Sequence, residues 1–217
     1  MQDRSWIRRK GRFAMRILTV SDAVVPDLAE NLDRRRFAGL DLILSCGDLP
    51  PEYLTFLQTE LGAPLFFVRG NHDIRYQSQP PRGCIDLHGR LIRFQGLNLL
   101  GLEGSMWYNG GPMQYTERQM QQLLWKLKPA LWWRGGVDIV FTHAPPRGIH
   151  DADDLCHRGF EAYRRLLESH RPGYFIHGHI HRRFRDPAER ITEVAGTRVI
   201  NTYGYQVMEV HAPASAR

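Results

Sequence analysis

The 217 residues are enough for one large domain with a real core. A hydrophobic share of 42% with 24% charged residues is ordinary for a globular chain and excludes wholesale disorder. The net charge of +6 permits anionic partners, phosphate compounds first among them, and leaves nucleic acid open.

Arg4, Arg8, Arg9, Lys10 and Arg12 crowd the N-terminus, and residues 1–14 are read as a flexible basic arm or the product of an upstream start. No apolar stretch follows that would make a signal peptide, and no run is long enough to span a bilayer, so no membrane partner is expected. Further basic runs at Arg34–Arg36, Arg164-Arg165 and Arg182-Arg183 read as solvated surface, because they lack the interleaved aromatics of a nucleic-acid groove. Cys46, Cys84 and Cys156 are odd in number and form no CxxC pair. They argue against a disulfide framework or a zinc knuckle and suit a reducing cytoplasm.

From Met15 the chain alternates short apolar runs with amphipathic stretches. Strands are expected at Met15–Val20, Leu40–Ser45, Pro64–Val68, Val137–Thr142 and Gly173–His177. Their near-continuous apolar character implies cover on both faces. Helices are expected at Pro51–Leu61, with proline in the first turn, at Thr116–Leu127, with a capping-box spacing and an end before Pro129, and at Gly159–Ser169. Antiparallel ribbons are expected at Arg90–Phe94 with Leu97–Gly101, and at Arg190–Val194, Thr197–Asn201 and Gln206–Val210. Trp125, Trp132 and Trp133 follow a helical pattern and read as packing residues. With no repeat and no linker, the chain reads as a single layered α/β domain over residues 15–217.

Each of five strands is followed by polar residues: Asp22, then Gly47-Asp48, then Gly70-Asn71-His72-Asp73, then His143, then Gly178-His179-Ile180-His181. The carboxyl edge of such a sheet is where ligands bind. A lone Asp after a strand is more often a turn residue, and a lone His more often a satisfied one. The joint series, each member after a strand, points instead to a shared cluster. Carboxylate, amide and imidazole ligands suit manganese, iron or zinc, and two ions roughly 3.5–4 Å apart would clamp a phosphate and activate water.

These motifs resemble those of the calcineurin-like metallophosphoesterase superfamily. The resemblance implies a four-layer α/β/β/α sandwich with mixed sheets and a two-metal centre, in an enzyme that hydrolyses a phosphomonoester or phosphodiester. It also implies that Asp48 bridges the ions, that Asp22 and His181 hold the first, and that Asn71, His143 and His179 hold the second. His72 would stabilise the phosphoryl oxygens or protonate the leaving alkoxide. The chain departs from the pattern at Val24, where the family places a metal-binding histidine. Water or substrate fills the gap, or His150, Asp151 or Asp27 moves in, or the first site is weak; an occupied but weaker first site is the expectation.

The loop Gly104–Gly111 offers Tyr108 and Asn109 to a substrate, unless it is only a tight turn around Trp107. The polar segment Pro145–His157 reads as a rim, with Arg147, His150 and His157 as phosphate contacts. The rival functions are a nuclease and a catalytically degenerate metal-binding scaffold, the latter motivated by Val24.

Overall fold

The computed structural model describes residues 14–182 and 184–211. The basic arm expected at the N-terminus therefore lies outside the described residues except for Ala14, which opens the first strand. In chain order the elements are β1 (Ala14–Ser21), β2 (Leu42–Ser45), α1 (Pro51–Leu61), β3 (Leu65–Phe67), β4 (Cys84–Asp86), β5 (Arg90–Phe94), β6 (Leu97–Leu102), β7 (Ser105–Met106), β8 (Gln114–Tyr115), α2 (Glu117–Trp133), β9 (Ile139–Thr142), α3 (Glu161–His170), β10 (Tyr174–His177), β11 (Ile191–Val194), β12 (Thr197–Asn201) and β13 (Gly204–His211).

Two large mixed sheets result. The first runs β13-β1-β2-β3-β4, parallel except for the antiparallel β13–β1 pair. The second runs β11-β12-β10-β9-β6-β5, with antiparallel pairs at both edges. Strand alternation assigns the layers. Ile17, Leu42, Leu44 and Phe66 point between the sheets and meet Leu99, Ile139, Phe141 and Ile176 of the second sheet. Leu18, Val20, Ile43 and Phe67 point outward onto Leu54 and Leu57 of α1. Val140, Phe175 and Val199 point out of the other side onto α2 and α3 through Met120, Leu127, Tyr163 and Leu167. The order is helix, sheet, sheet, helices, so the apolar runs are indeed covered on both faces.

Helix α1 matches its expected bounds, opening on Pro51 and closing on Gly62 in the left-handed region at φ 63°. Helix α2 has the expected capping box between Thr116 and Gln119. It does not stop before Pro129 but continues to Trp133. Proline removes the hydrogen bond to the carbonyl of Trp125, and the lost bond falls on a turn whose Trp125 is 68% exposed. Buried Leu127 and Leu131 hold the helix on the sheet on either side of the proline.

The third strand of the expected C-terminal ribbon is also placed differently. β11 and β12 form the ribbon, whereas β13 leaves that sheet after Tyr203 and pairs along the whole of β1 in the other. Its alternation fits that edge: Met208 and Val210 reach the core between the sheets, and Val207 reaches the outer core under α1. Thr19 of β1 and Thr202, at the crossing, hydrogen-bond between the sheets in a buried position.

Candidate metal centre

The carboxyl ends of β1, β2 and β3 in one sheet meet those of β9 and β10 in the other. Asp22, Asp48 and Asn71 come from the first sheet, and His143, His179 and His181 from the second. The main chain ties these ends together. The Asp22 N–H donates to the Gly47 carbonyl at 3.1 Å, and the His179 N–H donates to the Asp22 carboxylate at 3.0 Å. Gly70 and Gly178 allow the closeness. A Cβ on Gly70 would lie 2.0 Å from Asp48 Oδ1, and one on Gly178 would lie 2.6 Å from Asp22 Oδ2. Asp22, Asp48 and His179 themselves adopt left-handed backbone, with φ of 62°, 56° and 67°. Such strain in non-glycine residues gathers where side chains must be aimed.

Asp48, His143 and His179 form the tightest group, with potential ligand atoms all within 4.8 Å of one another. His143 is fully buried; its Nδ1 donates to the Cys46 carbonyl at 2.8 Å, which turns Nε2 toward Asn71 Oδ1 at 3.0 Å and Asp48 Oδ2 at 3.3 Å. A neutral imidazole oriented this way sets three acceptors against one another. They are compatible only with a shared proton or cation, which is the chemistry of a metal site. His179 is oriented in the same manner: its Nε2 donates to the Cys156 carbonyl at 2.7 Å and leaves Nδ1 for the cluster. The residues present therefore fit a divalent ion.

The electrostatics agree. Burial opposes ionisation of Asp48, yet the charge and hydrogen bond of His143 and the His72 N–H hold its carboxyl well below the usual carboxylate range. Burial works against charge on His143, but Asp48 outweighs it and lifts the imidazole to about 9. Burial and the neighbouring His143 hold His179 down at about 3, the neutral form a metal needs.

Asp22 and His181 sit beside this group, with His181 Nε2 3.3 Å from Asp22 Oδ1. Val24 is 47% exposed and offers no ligand atom. None of its proposed substitutes turns to the centre. Asp27 pairs with Arg36, Asp151 holds Arg147 and the Gly148 and Gly159 N–H groups, and His150 is bonded to His177 and Thr192.

His72 is exposed, with its N–H on Asp48 Oδ1 at 2.9 Å. Of the substrate-side candidates, two reach the cluster. The Tyr108 hydroxyl accepts from Asn71 Nδ2 at 3.2 Å, and the His157 ring lies 5.1 Å from that of His179. The other three are engaged elsewhere. Asn109 braces its own loop through the Gly111 N–H and Gln114, Arg147 is paired to Asp151 and Asp153, and His150 lies in the chain of bonds just described.

Three supports were not read from the sequence. Asp73 accepts from the N–H groups of Asp48, Leu49 and Gly70, at 2.8, 3.2 and 2.7 Å, and so locks the second motif loop to the third. The carbonyls of Cys46 and Cys156 fix the two imidazoles. Asp73 was visible as the last residue of Gly70-Asn71-His72-Asp73; the carbonyl roles carry no sequence signal at all. A cavity of about 220 Å³ lined by Phe67, Arg69, Tyr76, Pro80, Pro81, Cys84 and Asp86 lies off the cluster and includes none of its residues.

The fold and the site together define a two-sheet α/β sandwich with a candidate metal-ligand cluster between its sheet ends. A family model described as calcineurin-like phosphoesterase matches residues 15–183. The chain belongs to that family, whose members are metal-dependent phosphoesterases. Solved structures agree on the fold at low identity. The calcineurin-like phosphoesterase YfkN from Bacillus subtilis has a TM-score of 0.52 at 10% identity, covering 95% of this chain and 93% of that one. GAP50, the anchor in the inner membrane complex of Plasmodium, has a TM-score of 0.53 at 14% identity, covering 87% and 71%. No curated protein sequence matches the chain.

Proposed function

We propose that this chain hydrolyses a phosphomonoester or phosphodiester at a two-ion centre with unequal sites. Asp48, Asn71, His143 and His179 would hold one ion tightly, whereas Asp22 and His181, together with Asp48, would hold a second that Val24 leaves short of a ligand. Manganese, iron or zinc suits the donors. Divalent ions bound there supply Lewis-acid polarisation of the phosphate and a water that ionises near neutral pH.

The chain's own residues do the rest. Asp48 stands between the two ligand groups. His72 is carried to the open side of Asp48 by its backbone N–H, where its imidazole gives a proton to the leaving alkoxide. Tyr108 and His157, on two different loops beside the cluster, meet the phosphate ester. The observation that carries the reading is the trio of acceptors, His143 Nε2, Asn71 Oδ1 and Asp48 Oδ2, facing one another in a buried position.

The test is hydrolysis of aryl phosphomonoesters and diesters with Mn²⁺. Asp48→Asn should remove activity and His72→Ala should lower kcat by ~100-fold or more. A wild type no faster than both variants on every substrate supports the scaffold alternative that Val24 motivates. Single- and double-stranded DNA and RNA in the same panel decide whether the ester is a nucleic acid. Metal analysis should find one tightly held and one readily lost ion, and Val24→His should tighten the second. Two equally tight ions in the wild type would refute the unequal sites.

A further inference from the structure

Three of the most exposed large apolar side chains among the described residues lie together on α2. Trp125, Trp132 and Trp133 are 68%, 84% and 78% exposed, although their helical spacing suggested packing. The spacing is real but belongs to the outer face. With 3.6 residues per turn, Trp125, Pro129 and Trp132 fall within about 60° of one another, and Trp133 extends the arc to about 100°. Lys128 borders the arc on one side and Lys126 on the other. Arg134 closes it at the helix end, its guanidinium 5.7 Å from the Trp133 ring. No acidic residue occurs from Arg118 to Val137, and among the described residues no ion pair engages Lys126, Lys128 or Arg134.

We propose, against the expectation of no membrane partner drawn from the lack of a spanning segment, that this face of α2 docks the protein on an anionic lipid surface. Tryptophan settles at the bilayer interface, with its ring among the upper acyl chains and its N–H in the headgroups. Lysines flanking an aromatic crest reach anionic headgroups at the same depth. Each such cation strengthens binding roughly five-fold. Charge complementarity separates this occupant from a second copy of the chain, since two copies meeting here would set lysines against lysines. The crest is convex, whereas single-stranded nucleic acid takes a groove that follows its backbone.

The topology directs the consequence. α2 starts beside the loop that carries Tyr108 and runs to the start of β9, away from the carboxyl ends that form the metal centre. Its 17 residues span about 25 Å. Trp132 and Trp133 therefore lie at the far pole, and docking leaves the centre open to solvent. The surface acts by location, whatever the substrate.

The test is co-sedimentation of the full chain with vesicles of phosphatidylglycerol or of phosphatidylcholine. Binding is expected to phosphatidylglycerol only, to weaken with salt, and to shift tryptophan emission to the blue. The double variants Trp132→Ser/Trp133→Ser and Lys126→Glu/Lys128→Glu should each bind at least ten-fold more weakly. Their melting temperature and their hydrolysis of a soluble ester should stay unchanged, because these side chains touch no core. Absent binding by the wild type, or binding by either variant as tight as that of the wild type, overturns the proposal. So does a single-stranded oligonucleotide retained in place of vesicles, or a dimer in sedimentation velocity that the tryptophan variant abolishes.

Discussion

At the scale of single residues, the centre depends on how few positions the carboxylates leave free. Asp22, Asp48 and His179 accept left-handed backbone, and Gly70 and Gly178 give up a side chain so that carboxylate oxygens approach the main chain. Asp73 stabilises the result without touching the ligand atoms. Its carboxylate takes three N–H groups from two loops, while burial and the Asp48 charge push it up to about 7. Asp73→Ala leaves those donors without their acceptor, and an unsatisfied buried donor costs about 1–3 kcal/mol. The variant should lose at least about 2 kcal/mol in urea denaturation and bind Mn²⁺ ~10-fold or more weakly. Unchanged Mn²⁺ affinity in calorimetry would remove Asp73 from the support of the site.

At the scale of elements, two features depart from local rules. Helix α2 runs through Pro129 because tertiary packing of Leu127 and Leu131 outweighs a lost bond on the solvent side. Pro129→Ala should therefore stabilise the protein by about 1 kcal/mol or more, read from the denaturation midpoint. A destabilised variant would mean that the helix needs the bend. The second feature is a chain of hydrogen bonds from β11 to the loop after β10: Thr192 to His150, His150 to His177, and His177 Nδ1 to the Gly178 carbonyl. Burial, with Arg182 nearby, lowers His150 from 6.5 to about 4. Between those two values the unfolded chain takes up a proton that the folded chain refuses, so stability falls as pH drops through the window. His150→Gln should flatten the fall in melting temperature from neutral to acid pH, whatever its effect at neutral pH. Parallel pH profiles for wild type and variant would exclude His150 as a source of the acid sensitivity.

At the scale of the whole molecule, the candidate metal centre is a joint between two sheets. Three of its candidate ligands end strands of one sheet and three end strands of the other, and the same line carries the Asp22–His179 and Cys46–His143 bonds. An ion held there would stabilise the packing of the sheets as well as a loop. Loading to ~100 times Kd stabilises by about 2.7 kcal/mol through linkage. Adding Mn²⁺ to chelated protein should raise one cooperative transition, and a chelator should lower it. A transition indifferent to both would show that the ion does not join the sheets.

The residues that end β1, β2, β3, β9 and β10 were legible because the pattern is local: an apolar run, a turn, then a polar side chain. The positions of these five strands to within two residues, the capping box and helix α1 followed from the same short-range rules, whereas the short strands β4, β7 and β8 carry too little pattern to be read. The sequence by itself determined which residues come to the carboxyl edge, and also that position 24 carries no ligand. Only the tertiary structure decided that β13 joins β1 rather than β12, that α2 passes its proline, and that three tryptophans face outward. It also decided that His150 supports His177, and that Asp73 and two cysteine carbonyls hold the centre in place. The physical reason is common to these cases. Each depends on contacts between distant segments, where burial and hydrogen-bond satisfaction outweigh the preference of any single stretch of chain.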